Sequence, residues 1–192
     1  MKFLKKVISL ILTLSIALPL LAVPAPAADN MSEAKKYADI LHEAGLFDGY
    51  GTDASGNPIY ALERTATRAE AIVMLVRVLG KTEAAKTAPR SPFTDVPAWA
   101  APAVNYAYAN KLTKGVGGGK FGSNQAITIN EYMTFLLRAL DYSDDVWSDY
   151  CTAVEYFGSR VPDDDYYRNQ RYLSADGTQK CTRATMVTAT YR

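Results

Sequence analysis

Apolar residues return at helical spacing in several separate stretches of the chain. Ile72, Leu75, Val76 and Leu79 fall at i, i+3, i+4 and i+7, and so do Met133, Leu136, Leu137 and Leu140. That periodicity places each set on one stripe of a helix. Tyr37, Ile40, Leu41 and Ala44 form an earlier stripe, closed by Gly45. Ala103–Asn110 and Ala153–Phe157 read as two further helices. The pattern predicts an all-α chain.

The stripes belong to a repeat. Thr67-Arg-Ala-Glu-Ala-Ile-Val-Met-Leu-Val-Arg-Val-Leu79 aligns with Thr128-Ile-Asn-Glu-Tyr-Met-Thr-Phe-Leu-Leu-Arg-Ala-Leu140 at a constant offset of 61. A third copy, Thr182-Arg-Ala-Thr-Met-Val-Thr-Ala-Thr-Tyr-Arg192, follows the second at an offset of 54. Thr67 with Glu70 and Thr128 with Glu131 are Thr-x-x-Glu capping boxes, in which the threonine oxygen accepts from the third amide and the glutamate reaches back. In the third copy Thr185 takes the place of the glutamate, which weakens that start. A second helix precedes each capped one, and a Gly- and Asn-rich loop such as Gly115–Asn124 joins the two. The unit is helix, glycine loop, capped helix. One such unit buries little alone, so three are expected to pack together.

The start of the chain has another character. Lys2, Lys5 and Lys6 precede an apolar run from Val7 to Val23, followed by Ala25-Pro-Ala-Ala28. This is the layout of a cleaved secretory signal over residues 1–28, the alternative being an uncleaved membrane anchor. The expected divisions are then 1–28 as signal, 29–80, 93–141 and 147–192 as repeats, with 81–98 and 141–149 as links. The third repeat is read as short or cut off at Arg192.

Composition adds limits. Apolar residues make up 48% and charged residues 21%, an ordinary globular mixture. The formal charge of +1 belongs to the signal lysines; without residues 1–28, 18 basic side chains face 20 acidic ones. No general electrostatic case for nucleic acid follows. The sole histidine, His42, excludes His-based triads and two-His metal sites within one chain. No metal site and no cofactor are expected. Gly117-Gly-Gly119-Lys-Phe-Gly122 follows a helix and not a strand, so it is read as a turn needing positive φ. Asp144-Asp145 and Asp163-Asp-Asp165 lack the alternating carboxylates of a calcium loop and read as solvated turns or helix starts. Cys151 and Cys181 could close a disulfide in an oxidising compartment, or remain two buried thiols. Nothing brings two carboxylates together for glycosidase chemistry, so no enzyme is expected.

Thr67-Arg-Ala-Glu70 before an apolar helix resembles the signature of S-layer homology modules. Phe93-Thr-Asp-Val96 resembles the Phe-x-Asp-Val that opens such a module, and Trp99, ahead of Tyr106, fits the helix that follows. Gly119-Lys-Phe-Gly122 leading to Ala126-Ile-Thr128 resembles the loop ahead of the signature helix. The resemblance implies a pseudo-threefold helical bundle of three prongs, a three-pronged spindle. Its grooves would bind a secondary cell-wall polymer on peptidoglycan, in many cases a pyruvylated sugar. It implies a secreted, cell-surface module with no membrane span once the signal is cut, beside neighbouring S-layer proteins. Two other readings are an anchoring fragment of a longer cell-surface enzyme or S-layer protein, and a protein-interaction scaffold that has lost sugar binding.

The resemblance carries the signature arginine over to Arg68 and Arg183, Arg68 foremost. Independently, an arginine one residue after a helix cap adds a two-point fork where free amides already favour an anion. The alternative for Arg68 is a solvated first-turn residue or a salt bridge to a linker acid. Thr67, Glu70 and an exposed Trp99 complete the candidate ligand-binding set. Ile129 stands where the other copies have arginine, so that groove is expected to have lost its cation.

Overall fold

The computed structural model describes residues 27–146, 153, 156 and 178–191 of the chain. It distinguishes two compact units, Met1–Asn30 and Met31–Arg192. Of the first unit, only 27–30 are described, as helical backbone; the second carries all that follows. Residues 1–26 of the expected 1–28 signal, Cys151, Asp163–Asp165 and most of the expected third repeat lie outside the described residues.

The described elements are α1 (Ala27–Glu43), α2 (Arg68–Val78), α3 (Thr82–Lys86), α4 (Ala101–Ala109), α5 (Ile129–Ala139), a 3-10 turn (Asp144–Val146) and α6 (Arg183–Tyr191). Ala153 and Tyr156 are also helical and buried. No strand occurs among the described residues, which bears out the all-α class. The stretch 81–98, expected as a link, contains the short α3.

Both capping boxes form. Thr67 Oγ1 accepts from Glu70 N at 3.2 Å, and Glu70 Oε2 accepts from Thr67 N at 2.8 Å. Thr128 and Glu131 repeat the pair at 3.2 and 2.8 Å. At α6, Thr182 Oγ1 accepts from Thr185 N at 3.1 Å, while Thr185 meets it through a hydroxyl instead of a carboxylate. The helix ends are alike as well. In α1, Leu46 N returns to Leu41 O and Gly45 N to His42 O, both at 2.8 Å, with Gly45 at φ +70°. The same pair of bonds closes α2, α4 and α5 around Gly80, Lys111 and Asp141. This is the Schellman arrangement, which requires a left-handed residue. Lys111 and Asp141 adopt φ of +60° and +64° there without being glycine.

Packing follows from the stripes, with two corrections. In α1 the buried set is Ala34, Tyr37, Ala38 and Leu41, while Ile40 and Ala44 are exposed. The stripe is rotated because two alanines, and not the larger Ile40, allow the close approach. In α5, Met133, Leu136 and Leu137 are buried, but Leu140 is the C-cap and 62% exposed. The chain turns at Asp141 before the stripe can extend. Ile72, Leu75, Met133, Leu137, Met186 and Val187 join Phe121 and Ile127 in one core.

α2, α5 and α6 each touch the other two. Ahead of their caps, the backbone forms a closed cycle. Ala66 N donates to Cys181 O at 2.9 Å, Cys181 N to Ile127 O at 2.8 Å, and Ile127 N to Ala66 O at 3.0 Å. These three residues each precede a capping threonine, and all are fully buried. A second ring runs beside it: Arg68 N to Gln125 O, Ile129 N to Gln179 O, and Arg183 N to Arg64 O, at 2.9 to 3.0 Å. Buried backbone groups are thus satisfied between segments without a sheet. Cys181 is a free, buried thiol within this ring.

The glycine loop behaves as read from the sequence. Gly115, Gly117, Gly118, Gly119 and Gly122 all have positive φ. At Gly115 there is also no room: a Cβ would stand 2.5 Å from Lys120 O and from the Phe93 ring. Asp95 of the Phe-x-Asp-Val motif holds the loop's far end. Its carboxylate accepts from Phe121 N at 2.7 Å, Gly122 N at 2.8 Å and Ser123 N at 3.4 Å. Burial opposes its ionisation, but the three amides outweigh that and keep its pKa below the ordinary 3.8.

Candidate functional site

Arg68 and Arg183 begin α2 and α6, and neither is a solvated first-turn residue. Their exposures are 4% and 5%. Each reaches across to a segment at the matching position of another copy. Arg68 Nε donates to Phe121 O at 3.0 Å, and Arg183 Nε donates to Tyr60 O at 2.8 Å. Phe121 and Tyr60 are themselves 61 residues apart, the repeat offset. Each guanidinium then meets the capping-box glutamate of that segment. Arg68 Nη1 lies 2.9 Å from Glu131 Oε1, and Arg183 Nη1 lies 3.7 Å from Glu70 Oε1. The signature glutamate therefore does two tasks: it caps its own helix and faces an arginine from elsewhere. The linker acid considered as a partner for Arg68 is replaced by Glu131.

Aromatic rings enclose both cations. Arg68 lies 5.3 Å from the Phe121 centroid and 5.2 Å from that of Phe135. Arg183 lies 4.5 Å from Phe47 and 4.8 Å from Tyr50. Such contacts favour a desolvated guanidinium. Burial lowers the pKa of both arginines, and the facing glutamate offsets part of it.

The surroundings differ outside that shared plan. A groove of about 230 Å³ opens at Arg183, lined also by Asp48, Tyr50, Glu70, Arg77 and Trp99. Met74, Met186 and Val73 form its apolar wall. Arg183 Nη2 donates to Asp48 O at 2.8 Å. The Asp48 carboxylate pairs with Arg77. Trp99 is 58% exposed, so its ring is open to a ligand face. Of the candidate set, the groove gathers Arg183, Glu70 and Trp99. Arg68 does not line it, whereas Trp99 stands by Arg183. Thr67 acts as the cap of α2, one step behind the groove.

Glu70 is a hub. Tyr50 Oη donates to its Oε1 at 2.6 Å, Arg64 Nη2 donates to the same oxygen, and Thr67 N and Oγ1 donate to Oε2 at 2.8 and 3.0 Å. Burial pushes the Glu70 pKa up, but Thr67 and Arg64 outweigh it, and the carboxyl lies below its ordinary value.

Lys114 occupies the position that corresponds to Asp48, counted from the matching helix ends at Leu46 and Leu112. Arg138 corresponds to Arg77 at the 61-residue offset. Two cations thus meet where Asp48 and Arg77 pair in the first copy. Asp144 joins them, accepting from Arg138 Nε and Nη2 at 2.8 and 2.7 Å and from Lys114 Nζ at 2.6 Å. Asp144 hence starts the 3-10 turn, one of the two readings of this acidic pair, and is ion-paired there instead of solvated. Among the described residues, no cluster of three His, Cys, Asp or Glu has metal-binding geometry. No described helix is long and apolar enough to cross a membrane.

Sequence reasoning missed Arg64, Asp48, Tyr50 and Arg77. The capping box pointed to Glu70 as a helix signal only; its partners come from other turns of the chain.

The chain is 34% identical over 154 residues, 77% of its length, to a "Cell surface protein" of Thermoanaerobacter kivui. It is 33% identical over 153 residues to the "Middle cell wall protein" of Brevibacillus brevis, and 30% identical over 154 residues to a "Surface layer protein" of Brevibacillus choshinensis. The alignments span 74% and 76% of this chain. They cover 20%, 14% and 13% of those three proteins, so the chain spans a fifth or less of the curated relatives it matches. Residues 92–128, from the Phe-x-Asp-Val motif to the cap of α5, match the S-layer homology domain, and the chain therefore carries one such domain.

Proposed function

We propose that this chain is a secreted, non-enzymatic cell-surface module that anchors to the bacterial wall by binding secondary cell-wall polysaccharide non-covalently. The observation that carries the reading is the groove at Arg183, where a buried guanidinium, an open tryptophan face and an apolar wall converge. A carboxylate-bearing sugar, such as a pyruvylated residue, suits that combination: the arginine meets the acid and the tryptophan stacks on the ring. The S-layer homology domain at 92–128 and the names of the cell-surface, cell-wall and surface-layer relatives support the location and the anchoring role.

In this reading residues 1–28 are the export signal, and 29–80, 93–141 and 147–192 are three helix-loop-helix repeats in a pseudo-threefold bundle. The two backbone rings support that arrangement, because each links matching positions of the three copies in cyclic order. Arg183, Glu70 and Trp99 contact the ligand; Thr67 and Arg68 hold the framework. The low share of each relative that is matched also favours a wall anchor within a longer surface protein, whose neighbours would be other S-layer proteins.

The test is retention on purified sacculi. Sacculi that keep their secondary polymer should hold the 29–192 chain, and stripped sacculi should not. Equal retention by both would overturn the reading. Arg183→Ala and Trp99→Ala should each reduce retention, with Arg68→Ala reducing it only as far as it unfolds the chain.

A further inference from the structure

Three residues before each capping threonine, the first two copies differ. Position 64 is arginine, and position 125, at the repeat offset, is glutamine. Their backbones do the same work, since Arg64 O accepts from Arg183 N at 2.9 Å and Gln125 O accepts from Arg68 N at 3.0 Å. Their side chains do not. Arg64 Nη2 binds Glu70 Oε1, and its guanidinium lies 4.9 Å over the Tyr50 ring, whose hydroxyl fills the same oxygen. Glu70 Oε1 is thus supplied from two sides, and Arg183 Nη1 stands back at 3.7 Å. Next to the neutral Gln125, Glu131 Oε1 takes Arg68 Nη1 at 2.9 Å.

We propose that Arg64 is a positioning residue that decides which signature arginine is left to act on an external anion. By sharing Glu70 it leaves Arg183 only partly compensated at the groove, with its Nη1 at 3.7 Å, whereas Gln125 lets Glu131 neutralise Arg68 at 2.9 Å. The inference rests on the groove reading above and adds the means by which one arginine is selected. One carboxylate facing two guanidiniums leaves one positive charge over. The Arg64 charge also acts directly on Arg183, and an incoming carboxylate relieves that repulsion. With Arg77 paired to Asp48 at the rim, the excess matches a single carboxylate group. Selection is therefore by charge bookkeeping three residues from the cap, at a residue that does not line the groove.

The test uses the full chain with Arg64→Gln and Gln125→Arg. Guanidinium rotation of Arg183 and Arg68, followed by nitrogen-resolved NMR, reads the ion pairs without any ligand. Arg64→Gln should slow the Arg183 rotation as it closes onto Glu70, and Gln125→Arg should speed that of Arg68. Binding of a methyl glucoside carrying a cyclic pyruvate acetal should weaken about tenfold in Arg64→Gln, the scale of one charge-assisted hydrogen bond. Arg64→Lys should restore it. Unchanged Arg183 rotation in Arg64→Gln overturns the proposal, whatever the sugar does. If the rotation slows but the wild-type chain does not bind the acetal, the release of Arg183 stands and the sugar reading falls.

Discussion

Arg68 and Glu131 form an ion pair 2.9 Å long that joins the first residue of α2 to the capping glutamate of α5. Removing the arginine leaves Phe121 O without its side-chain donor and Glu131 without its cation, while the cavity lies between two phenylalanine rings. Arg68→Ala should therefore cost about 3 kcal/mol, from the lost packing of a buried side chain and the orphaned Phe121 carbonyl together with a pair buried on its arginine side only. Urea unfolding measures it. A loss below about 1 kcal/mol would mean that Arg68 is not a framework residue.

The caps rank by their partners. Thr67→Ala and Thr128→Ala each remove an oxygen from a complete capping box and should cost about 1 kcal/mol. Thr182→Ala removes a cap that lacks the returning carboxylate, so its loss should be smaller. Thermal melts of the three variants order them. Equal midpoints would show that the glutamates add nothing.

Two glycines separate conformation from space. Gly115→Ala and Gly118→Ala both force an L-residue to positive φ, but only Gly115 meets backbone and the Phe93 ring at 2.5 Å. Gly118→Ala should cost about 1 kcal/mol and Gly115→Ala at least about 2 kcal/mol more, since its obstacles cannot move freely. Comparable losses would contradict the close approach.

Acid should loosen the clamp at Asp144. Its hydrogen bonds to Arg138 are the largest cause and, with help from Lys114, hold the carboxyl well below the usual 3.8 against the opposing effect of burial. A depressed folded-state pKa gives stability that is full above the unfolded value and is lost as pH falls through the folded one. Stability should therefore decline from about pH 4 downward, and Asp144→Asn should decline less over that window while being weaker at pH 7. Identical acid profiles for the two chains would remove Asp144 from the account.

Trp99 tests function apart from folding. With its ring more than half exposed, Trp99→Ala should shift stability by less than about 0.5 kcal/mol. Retention on polymer-bearing sacculi should nevertheless fall several-fold. A variant that is retained as well as the wild type would take Trp99 out of the groove's chemistry.

Local signals were legible because their causes are local. Thr-x-x-Glu at 67–70 and 128–131 named the helix starts, and Gly45 named an end, since caps depend on residues three or four apart. Lys111 and Asp141 were hidden as helix ends, because position and not residue type puts them in the left-handed region. Ile40 and Leu140 misled for a related reason. Periodicity gives a stripe but not which neighbouring turn faces the core, nor where the helix stops. The signature arginines were found as residues, yet their burial was not, because their partners lie on segments tens of residues away. Asp95 carried a motif whose purpose, gathering the amides of residues 121–123, appears only once the loop is folded back.

The ring through Ala66, Ile127 and Cys181 has a temporal side. Each member both gives and receives one bond, so two of them leave an open donor and acceptor in the protein interior. The third member lies near the end of the described chain and emerges last during synthesis. Until residues 178–191 arrive, Ala66 N and Ile127 O lack their ring partner, so closure of the cycle waits for the last of its three segments.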